Sequence, residues 1–138
     1  MDEITRAAEF APLILVIDDD PQIRKVFGQL LKRAGYSFHE AINGLEAKAL
    51  ILRVHFNLII LDLAMPEMDG FELLLFARRE LPDLKIIVAS GFMKDVSLRV
   101  AKLFGAVATL DKPVESGLFL STVRNVLAGQ LTNKVTVL

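Results

Sequence analysis

Short, continuous runs of apolar residues alternate along the chain with longer segments in which apolar residues recur every three or four positions. The continuous runs are typical of strands buried on both faces, and the second spacing is typical of helices with one face on the core. The predicted strands cover residues 13–17, 36–41, 58–62, 84–89 and 106–110. The predicted helices cover residues 21–34, 43–54, 71–80, 95–104 and 115–128.

Residues at the predicted helix ends agree with this division. Asp20 can serve as the N-cap of the first helix, because Pro21 then takes the first helical position, where its missing N–H costs nothing. The segment 43–46, Asn-Gly-Leu-Glu, resembles a capping box. The predicted apolar stripe of the first helix is Ile23, Val26, Phe27, Leu30 and Leu31, and one face of the second helix carries Leu45, Ala49 and Leu52.

Five strands that alternate with five helices predict an α/β fold, with a parallel sheet between two helical layers and right-handed crossovers. We predict the flavodoxin-like strand order 2-1-3-4-5, a doubly wound (βα)5 three-layer sandwich. This domain is expected to span residues 13–128. Residues 1–12 would form an N-terminal arm, and residues 129–138 a C-terminal tail or linker stub.

The composition excludes several functional classes. The 138 residues are 53% hydrophobic with a formal net charge of −1, which gives no indication of a nucleic-acid surface. The apolar runs are too short to cross a membrane, and the N-terminus lacks the features of a signal peptide. Because the chain has no cysteine, a disulfide framework and a thiolate metal site are excluded. We therefore expect a soluble, cytoplasmic domain.

Polar residues follow or end four of the predicted strands. Asp18 and Asp19 follow the first, Asp62 ends the third, Ser90 follows the fourth and Lys112 comes just after the fifth. In the order 2-1-3-4-5 these four strands are neighbours, and ligands of such sheets bind at the carboxyl ends of the strands. The sequence therefore predicts one cleft that contains three carboxylates, a hydroxyl and a lysine.

Such a cleft has a specific chemistry. Two like charges about 4 Å apart repel by roughly 4 kcal/mol at an effective dielectric constant near 20, so the acids need a cation or a shared proton. Oxygen ligands suit Mg²⁺, and a lysine with a hydroxyl complements a phosphoryl group. The combination indicates phosphoryl transfer to a carboxylate.

Four motifs resemble those of the receiver domains of two-component response regulators. They are Ile-Asp-Asp at 17–19, Leu-Asp-Leu-Ala-Met-Pro-Glu-Met-Asp-Gly at 61–70, Ala-Ser-Gly at 89–91 and Asp-Lys-Pro at 111–113. The resemblance extends from about residue 13 to residue 127, with every motif in order and at the family spacing. It implies a signalling protein that catalyses only its own phosphorylation and dephosphorylation.

The resemblance also implies roles for single residues. Asp62 would be the phosphoacceptor for a phosphohistidine on a histidine kinase or a histidine phosphotransfer protein. Ser90 would hydrogen-bond the phosphoryl oxygen, and Lys112 would pair with the phosphoryl group. The bond from Lys112 to Pro113 would be cis, which only proline makes inexpensive.

The metal implied by the resemblance is Mg²⁺. Asp19 would be a direct ligand, Asp18 would act through water or complete the acidic pocket, and the Ala64 backbone carbonyl would join Asp62 as a further ligand. Thr109 stands where family members often carry an aromatic switch residue, so signalling through an aromatic rotamer is in doubt.

The output of the domain has several possible forms. The last predicted helix carries more apolar residues than one core face needs, so it forms either a partner or dimer surface or a wide core stripe. A homodimer would use the face of the fourth helix, fifth strand and fifth helix. The chain is either a stand-alone regulator or the receiver segment of a longer protein, such as a hybrid kinase.

Two rival functions remain. The first is a receiver that no longer accepts phosphate and acts as a constitutive interaction module. The second is a haloacid-dehalogenase-like phosphatase, because Asp18 and Asp20 superficially fit its nucleophile and acid. That family expects a Thr or Val closely after the second Asp and later acids near the last strand, and this sequence has neither.

Overall fold

The computed structural model describes residues 11–63, 70–91 and 95–129. Its strands are β1 (Leu13–Ile17), β2 (Ser37–Ala41), β3 (Leu58–Leu61), β4 (Lys85–Ser90) and β5 (Ala108–Asp111). Its helices are α1 (Pro21–Arg33), α2 (Gly44–Arg53), α3 (Gly70–Glu80), α4 (Asp95–Leu103) and α5 (Ser116–Leu127). The predicted number, type and order of elements are confirmed, with ends that differ by one or two residues. The predicted terminal arm and tail lie almost wholly outside the described residues, and the proposed domain limits stay predictions.

The five strands form one parallel sheet in the order β2-β1-β3-β4-β5, which confirms the predicted topology. The register aligns Ile17 with Leu61, Leu61 with Val88 and Ser90 with Asp111. The carboxyl ends of β1, β3, β4 and β5 therefore meet at one edge of the sheet, where the chain turns into the loops that carry the predicted site.

Side chains alternate along each strand and build a core on both faces of the sheet. On one face Leu15, Ile17, Ile59 and Leu61 pack with α2, α3 and α4. On the other face Ile14, Val16, Leu58 and Ile60 pack with α1 and α5. Phe27 of α1 and Phe119 of α5 stack across this second layer, with ring centroids 4.4 Å apart and an interplanar angle of 12°. The result is the three-layer sandwich that the sequence predicts.

The structure reverses the face that α2 turns to the core. Leu45, Ala49 and Leu52 are exposed, with Leu45 and Leu52 at 53% and 63%. Ala47 and Ile51 are buried instead. Because α2 is apolar on more than one side, the sequence pattern allows either face to pack against the sheet.

The remaining helix faces agree more closely with the prediction. In α1 the predicted stripe packs on the core except for Val26, which is 46% exposed. Gly28 is also buried, and the ring of Phe38 occupies the space that a side chain there would need. In α5 Phe119, Val123 and Val126 are buried, and Leu118 is its only exposed large apolar residue, at 52%. This arrangement favours the wide core stripe for α5.

Candidate functional site

Three of the predicted site residues stand at neighbouring strand ends because the sheet holds their backbones there. Asp18 follows β1, and its N–H donates to the Ala41 carbonyl at 3.2 Å. Asp62 follows β3, and its N–H donates to the Ile17 carbonyl at 3.0 Å. Lys112 follows β5, and its N–H donates to the Ser90 carbonyl at 3.3 Å. Ser90 is the last residue of β4, so the sheet places all four predicted residues along one edge.

The three aspartates converge. One carboxylate oxygen from each of Asp18, Asp19 and Asp62 lies within 4.8 Å of the other two. Asp18 and Asp62 are buried, at 3% and 7% exposure, whereas Asp19 faces solvent. The cluster is therefore open to solvent on the Asp19 side and enclosed by protein on the other two.

Lys112 supplies positive charge to the two buried acids. Its Nζ lies 2.5 Å from Asp18 Oδ2 and 3.7 Å from Asp62 Oδ2. The carboxylate oxygens of Asp18 and Asp62 lie within 4.8 Å of one another, so the two charges repel. An ammonium group shared between them offsets that repulsion. The lysine side chain is only 16% exposed, so the interaction is weakly screened by salt.

Ser90 presents a buried hydroxyl at the end of β4. The residue is 0% exposed, and among the described residues its Oγ has no hydrogen-bond partner. Leaving a buried hydroxyl unpaired costs about 1–3 kcal/mol. Ser90 ends β4, the strand next to the one that Asp62 follows. Its hydroxyl can therefore donate a hydrogen bond to a ligand that has an acceptor atom.

A glycine allows α3 to begin directly against the backbone of the Asp62 loop. The Gly70 N–H donates to the Leu63 carbonyl at 3.0 Å. A Cβ at position 70 would overlap the Asp62 carbonyl oxygen and the Leu63 Cα. Gly70 therefore has a structural role in placing Asp62.

Arg24 is a residue of the site that the sequence pattern did not single out. Its Nη1 donates to the Asp18 carbonyl oxygen at 2.8 Å, and its Nε contacts Glu40 Oε1 at 3.2 Å. One signal is visible in the sequence. A cation near the N-terminus of a helix opposes the helix dipole, but Lys25 shares this position in α1 and is exposed, so the signal does not distinguish Arg24.

Other sequence predictions have definite outcomes. Asp20 is the N-cap of α1, since its Oδ1 accepts from the Gln22 N–H at 2.9 Å. The bond from Lys112 to Pro113 is cis, as the resemblance implied. Thr109 is half-buried in β5. Ala64, the predicted carbonyl ligand, lies outside the described residues.

The donor set fits a hard divalent cation. All three clustered ligand atoms are carboxylate oxygens, the ligands that Mg²⁺ and Ca²⁺ prefer. The exposed Asp19 leaves a path for a hydrated ion, and the buried Ser90 hydroxyl, which no described residue binds, offers a donor at the neighbouring strand end. The acidic pocket can therefore bind a metal and, beside it, an anion.

Comparisons with known proteins agree with this geometry. A family model described as the response regulator receiver domain matches residues 14–124. The chain is 32% identical over 119 residues to the sensor kinase CckA of Brucella abortus and 37% identical over 115 residues to the probable transcriptional regulator ycf27 of Porphyridium aerugineum. These alignments cover 85% and 83% of this chain but only 13% and 47% of the relatives, so the chain spans less than half the length of either.

Solved structures show the same fold over most of the chain. A CheY-like response regulator receiver domain protein from Methanospirillum hungatei superposes with a TM-score of 0.82 at 33% identity, over 87% of this chain and 96% of that one. The chemotaxis protein CheY4 of Vibrio cholerae superposes with a TM-score of 0.77 at 30% identity, over 84% and 98%. With its motifs, sheet order and family match in agreement, the chain belongs to the response regulator receiver domains of two-component signalling.

Proposed function

We propose that this receiver accepts a phosphoryl group on Asp62 from a phosphohistidine of a histidine kinase or a histidine phosphotransfer protein. The observation that carries the proposal is the position of Lys112 Nζ, 3.7 Å from Asp62 Oδ2 at the edge of a cluster of three acids. A cation at this distance from a carboxylate is well placed to pair with a phosphoryl group attached to it.

The transfer is a single displacement at phosphorus. An Asp62 carboxylate oxygen forms a new P–O bond while the P–N bond to the donor imidazole breaks, and the electron pair of that bond stays on the imidazole nitrogen. Lys112 stabilises charge on the phosphoryl oxygens, and the Ser90 hydroxyl, which lacks a partner among the described residues, donates to one of them.

The residues that would hold Mg²⁺ are Asp18, Asp19 and Asp62, whose oxygens lie within 4.8 Å of one another. The Ala64 carbonyl stays a predicted further ligand. When bound, the ion would neutralise charge on the transferring oxygens. Asp18 has a second task, because its Oδ1 accepts from the Asp20 N–H at 3.0 Å and so fixes the turn from which Asp19 projects.

The two rival functions have less support. In a phosphatase of the haloacid-dehalogenase type, Asp18 would be the nucleophile and Asp20 the acid. Here the Asp20 side chain accepts from the Gln22 N–H as the N-cap of α1, so it is engaged in the helix cap rather than placed to act as the acid. A constitutive interaction module would not need a lysine beside three acids, or a buried Ser90 hydroxyl to which no residue of the described ranges is bonded.

The wider role follows the same proposal. Phosphorylation would switch contacts with other proteins, as the sequence predicts. A homodimer would use the face of α4, β5 and α5, where Leu103 and Leu118 are 68% and 52% exposed. No helix in the described ranges is long and apolar enough to cross a membrane. The cytoplasmic location stays a prediction.

The test is the intact mass of the protein after incubation with acetyl phosphate and Mg²⁺. Transfer from this donor breaks its P–O bond and releases acetate, so a working receiver gains one phosphoryl group. The matched control is Asp62→Asn, which keeps the shape of the side chain and removes the nucleophile.

A single adduct on the wild type, absent from Asp62→Asn and abolished by EDTA, is the expected result. No adduct with acetyl phosphate and none with a purified histidine kinase would overturn the proposal in favour of the constitutive module. An adduct that persists in Asp62→Asn would place the phosphoryl group on another residue.

A further inference from the structure

Asp18 makes hydrogen bonds through four of its atoms, more than either of the other residues in the acidic turn of Asp18–Asp20. Its N–H donates to Ala41, its Oδ1 accepts from the Asp20 N–H and its Oδ2 accepts from Lys112. The remaining polar atom, the backbone carbonyl oxygen, accepts from Arg24 Nη1 at 2.8 Å. Of these four hydrogen bonds, only the one from Arg24 is made by a side chain of α1.

The Arg24 guanidinium is itself fixed in orientation. Its Nε donates to Glu40 Oε1 at 3.2 Å. Arg24 lies in the first part of α1, and its side chain is only 14% exposed. Because the guanidinium is planar and rigid, holding two of its nitrogens also fixes the plane of the group. Arg24 therefore joins three elements: helix α1, the edge strand β2 and the turn after β1.

We propose that Arg24 is a positioning residue that holds the turn of Asp18–Asp20 in the conformation that binds the divalent cation. This inference rests on the proposed function, since it assigns Arg24 to the same site. Arg24 contacts the backbone of Asp18 rather than a ligand oxygen. Its loss should therefore weaken cation binding by loosening the turn, while the groups that act on the phosphoryl group remain in place.

Glu40 has a supporting part in this arrangement. It lies on the edge strand, its side chain is 47% exposed, and its only described contact with the turn is through Arg24. An ion pair with a solvent-exposed partner of this kind contributes little to the free energy of folding. We therefore expect Glu40→Gln to have a smaller effect than any change at Arg24.

The experiment compares Arg24→Gln and Arg24→Lys with the wild type by calorimetric titration with Mg²⁺ and by the rate of phosphorylation from acetyl phosphate across Mg²⁺ concentrations. The matched control is Arg79→Gln, which removes an exposed arginine whose Nε contacts Glu80 Oε1 at 3.0 Å on α3, away from the site. Urea unfolding of each variant identifies the fraction that is folded.

We expect Arg24→Gln to weaken Mg²⁺ binding about tenfold, the lower end of the effect seen when a residue that orients metal ligands is lost. Half-maximal phosphorylation should need correspondingly more Mg²⁺, with the rate at saturating Mg²⁺ changed by less than about twofold. Arg24→Lys should fall between Arg24→Gln and the wild type because a lysine restores one hydrogen bond without the fixed plane. Arg79→Gln should match the wild type.

An unchanged Mg²⁺ affinity in folded Arg24→Gln would overturn the proposal, as would a lower saturating rate at unchanged affinity. If Arg24→Gln does not fold, the Mg²⁺ affinity of Arg24→Lys decides in the same way. A wild type that binds Mg²⁺ but gains no phosphoryl group would refute the proposed function while the titrations still decide the role of Arg24. A wild type that binds no Mg²⁺ would refute both.

Discussion

Lys112 and Asp18 are 94 residues apart in the sequence, and their side chains meet at 2.5 Å. The contact joins the loop after the last strand to the turn after the first, across the carboxyl end of β3. Lys112 is therefore already engaged by an acid of the predicted metal site, and it stands closer to Asp18 than to Asp62. A cation bound to Asp18 and a phosphoryl group on Asp62 would both favour movement of the ammonium toward Asp62.

Lys112→Met should separate these two roles of the lysine. The rate of phosphorylation from acetyl phosphate should fall about 100-fold at saturating Mg²⁺, the usual effect of removing one group that stabilises charge in a transition state. Mg²⁺ should bind at least as tightly as to the wild type, because it no longer competes with an ammonium group for Asp18. The rate is measured by intact mass and the affinity by calorimetry.

Lys102→Met is the control for this prediction, since Lys102 is an exposed lysine on α4. It should leave both the rate and the affinity unchanged. A Lys112→Met variant that is phosphorylated at the wild-type rate would exclude the lysine from the reaction.

Ser90→Ala should stabilise the unphosphorylated protein and impair its reaction. The variant removes a buried hydroxyl that has no partner in the described part of the chain, so the free energy of unfolding should rise by about 1 kcal/mol. Phosphorylation should slow because the donor to the phosphoryl oxygen is lost. Urea unfolding measures the first effect and the mass assay the second.

Thr122→Val provides the comparison, because the Thr122 hydroxyl is also buried but donates to the Leu118 carbonyl at 2.7 Å. It should bring no gain in stability and no change in phosphorylation. Loss of stability in Ser90→Ala would mean that the Ser90 hydroxyl is satisfied in solution.

Gly70→Ala and Gly28→Ala should both destabilise the fold, by about 1–3 kcal/mol each, because both insert a methyl group into occupied space. At position 28 the new Cβ would lie 2.6 Å from Cζ of Phe38, a side chain that can move. At position 70 it would overlap the backbone of Asp62 and Leu63, so the proposed phosphoacceptor, Asp62, must shift.

Only Gly70→Ala should therefore slow phosphorylation under conditions in which both variants are folded, as judged by circular dichroism. Equal rates in the two variants would show that the Asp62 loop accommodates the methyl group without displacing the carboxylate.

Glu115 should make the stability depend on pH. Its carboxylate caps α5 by accepting from the backbone N–H groups of Gly117 and Leu118, at 2.8 and 2.9 Å, and these bonds hold the pKa of Glu115 below its ordinary value. A carboxyl whose pKa is lowered by folding stabilises the protein above its unfolded pKa, and this stabilisation disappears as the pH falls through the folded pKa. Glu115→Gln should therefore be less stable than the wild type at neutral pH.

The difference between the two proteins should shrink as the pH falls below the ordinary range of a glutamate, which urea midpoints at several pH values would measure. Glu80→Gln is the control, because Glu80 has an exposed ion pair and no cap. A difference that stays constant down to acid pH would contradict the role of the Glu115 charge.

The sequence was sufficient for the fold because local and global signals agree. The continuous apolar runs of β1 and β3 are typical of strands in a parallel sheet that is covered by helices on both faces. The polar residues at the strand ends then favour the strand order 2-1-3-4-5, which brings them together. The orientation of α2 was not predictable, since Leu45, Ala47, Ala49, Leu50, Ile51 and Leu52 make most of its circumference apolar. A periodic pattern identifies a core face only where the opposite face is polar.

The site was predictable where a residue stands at a strand end and unpredictable where its role is a long-range contact. Asp18, Asp62, Ser90 and Lys112 each occupy such an end, and the sheet brings them together. Arg24 acts on Asp18 from one side of α1 through a bond to a backbone carbonyl. The spacing of residues in the sequence does not show that Arg24 contacts Asp18, nor that the contact is to the backbone carbonyl oxygen.

Strand β3 is the most enclosed strand of the sheet, with every residue from Leu58 to Leu61 at most 1% exposed and a neighbouring strand on each side. Amide hydrogens in such a segment exchange with solvent only through near-global unfolding. Asp62 is attached directly to this segment and is held by the Ile17 carbonyl. Asp62, the proposed phosphoacceptor, is thus anchored at the end of the most enclosed strand, and changes in hydrogen exchange on phosphorylation should be confined to the loops and helix ends around it.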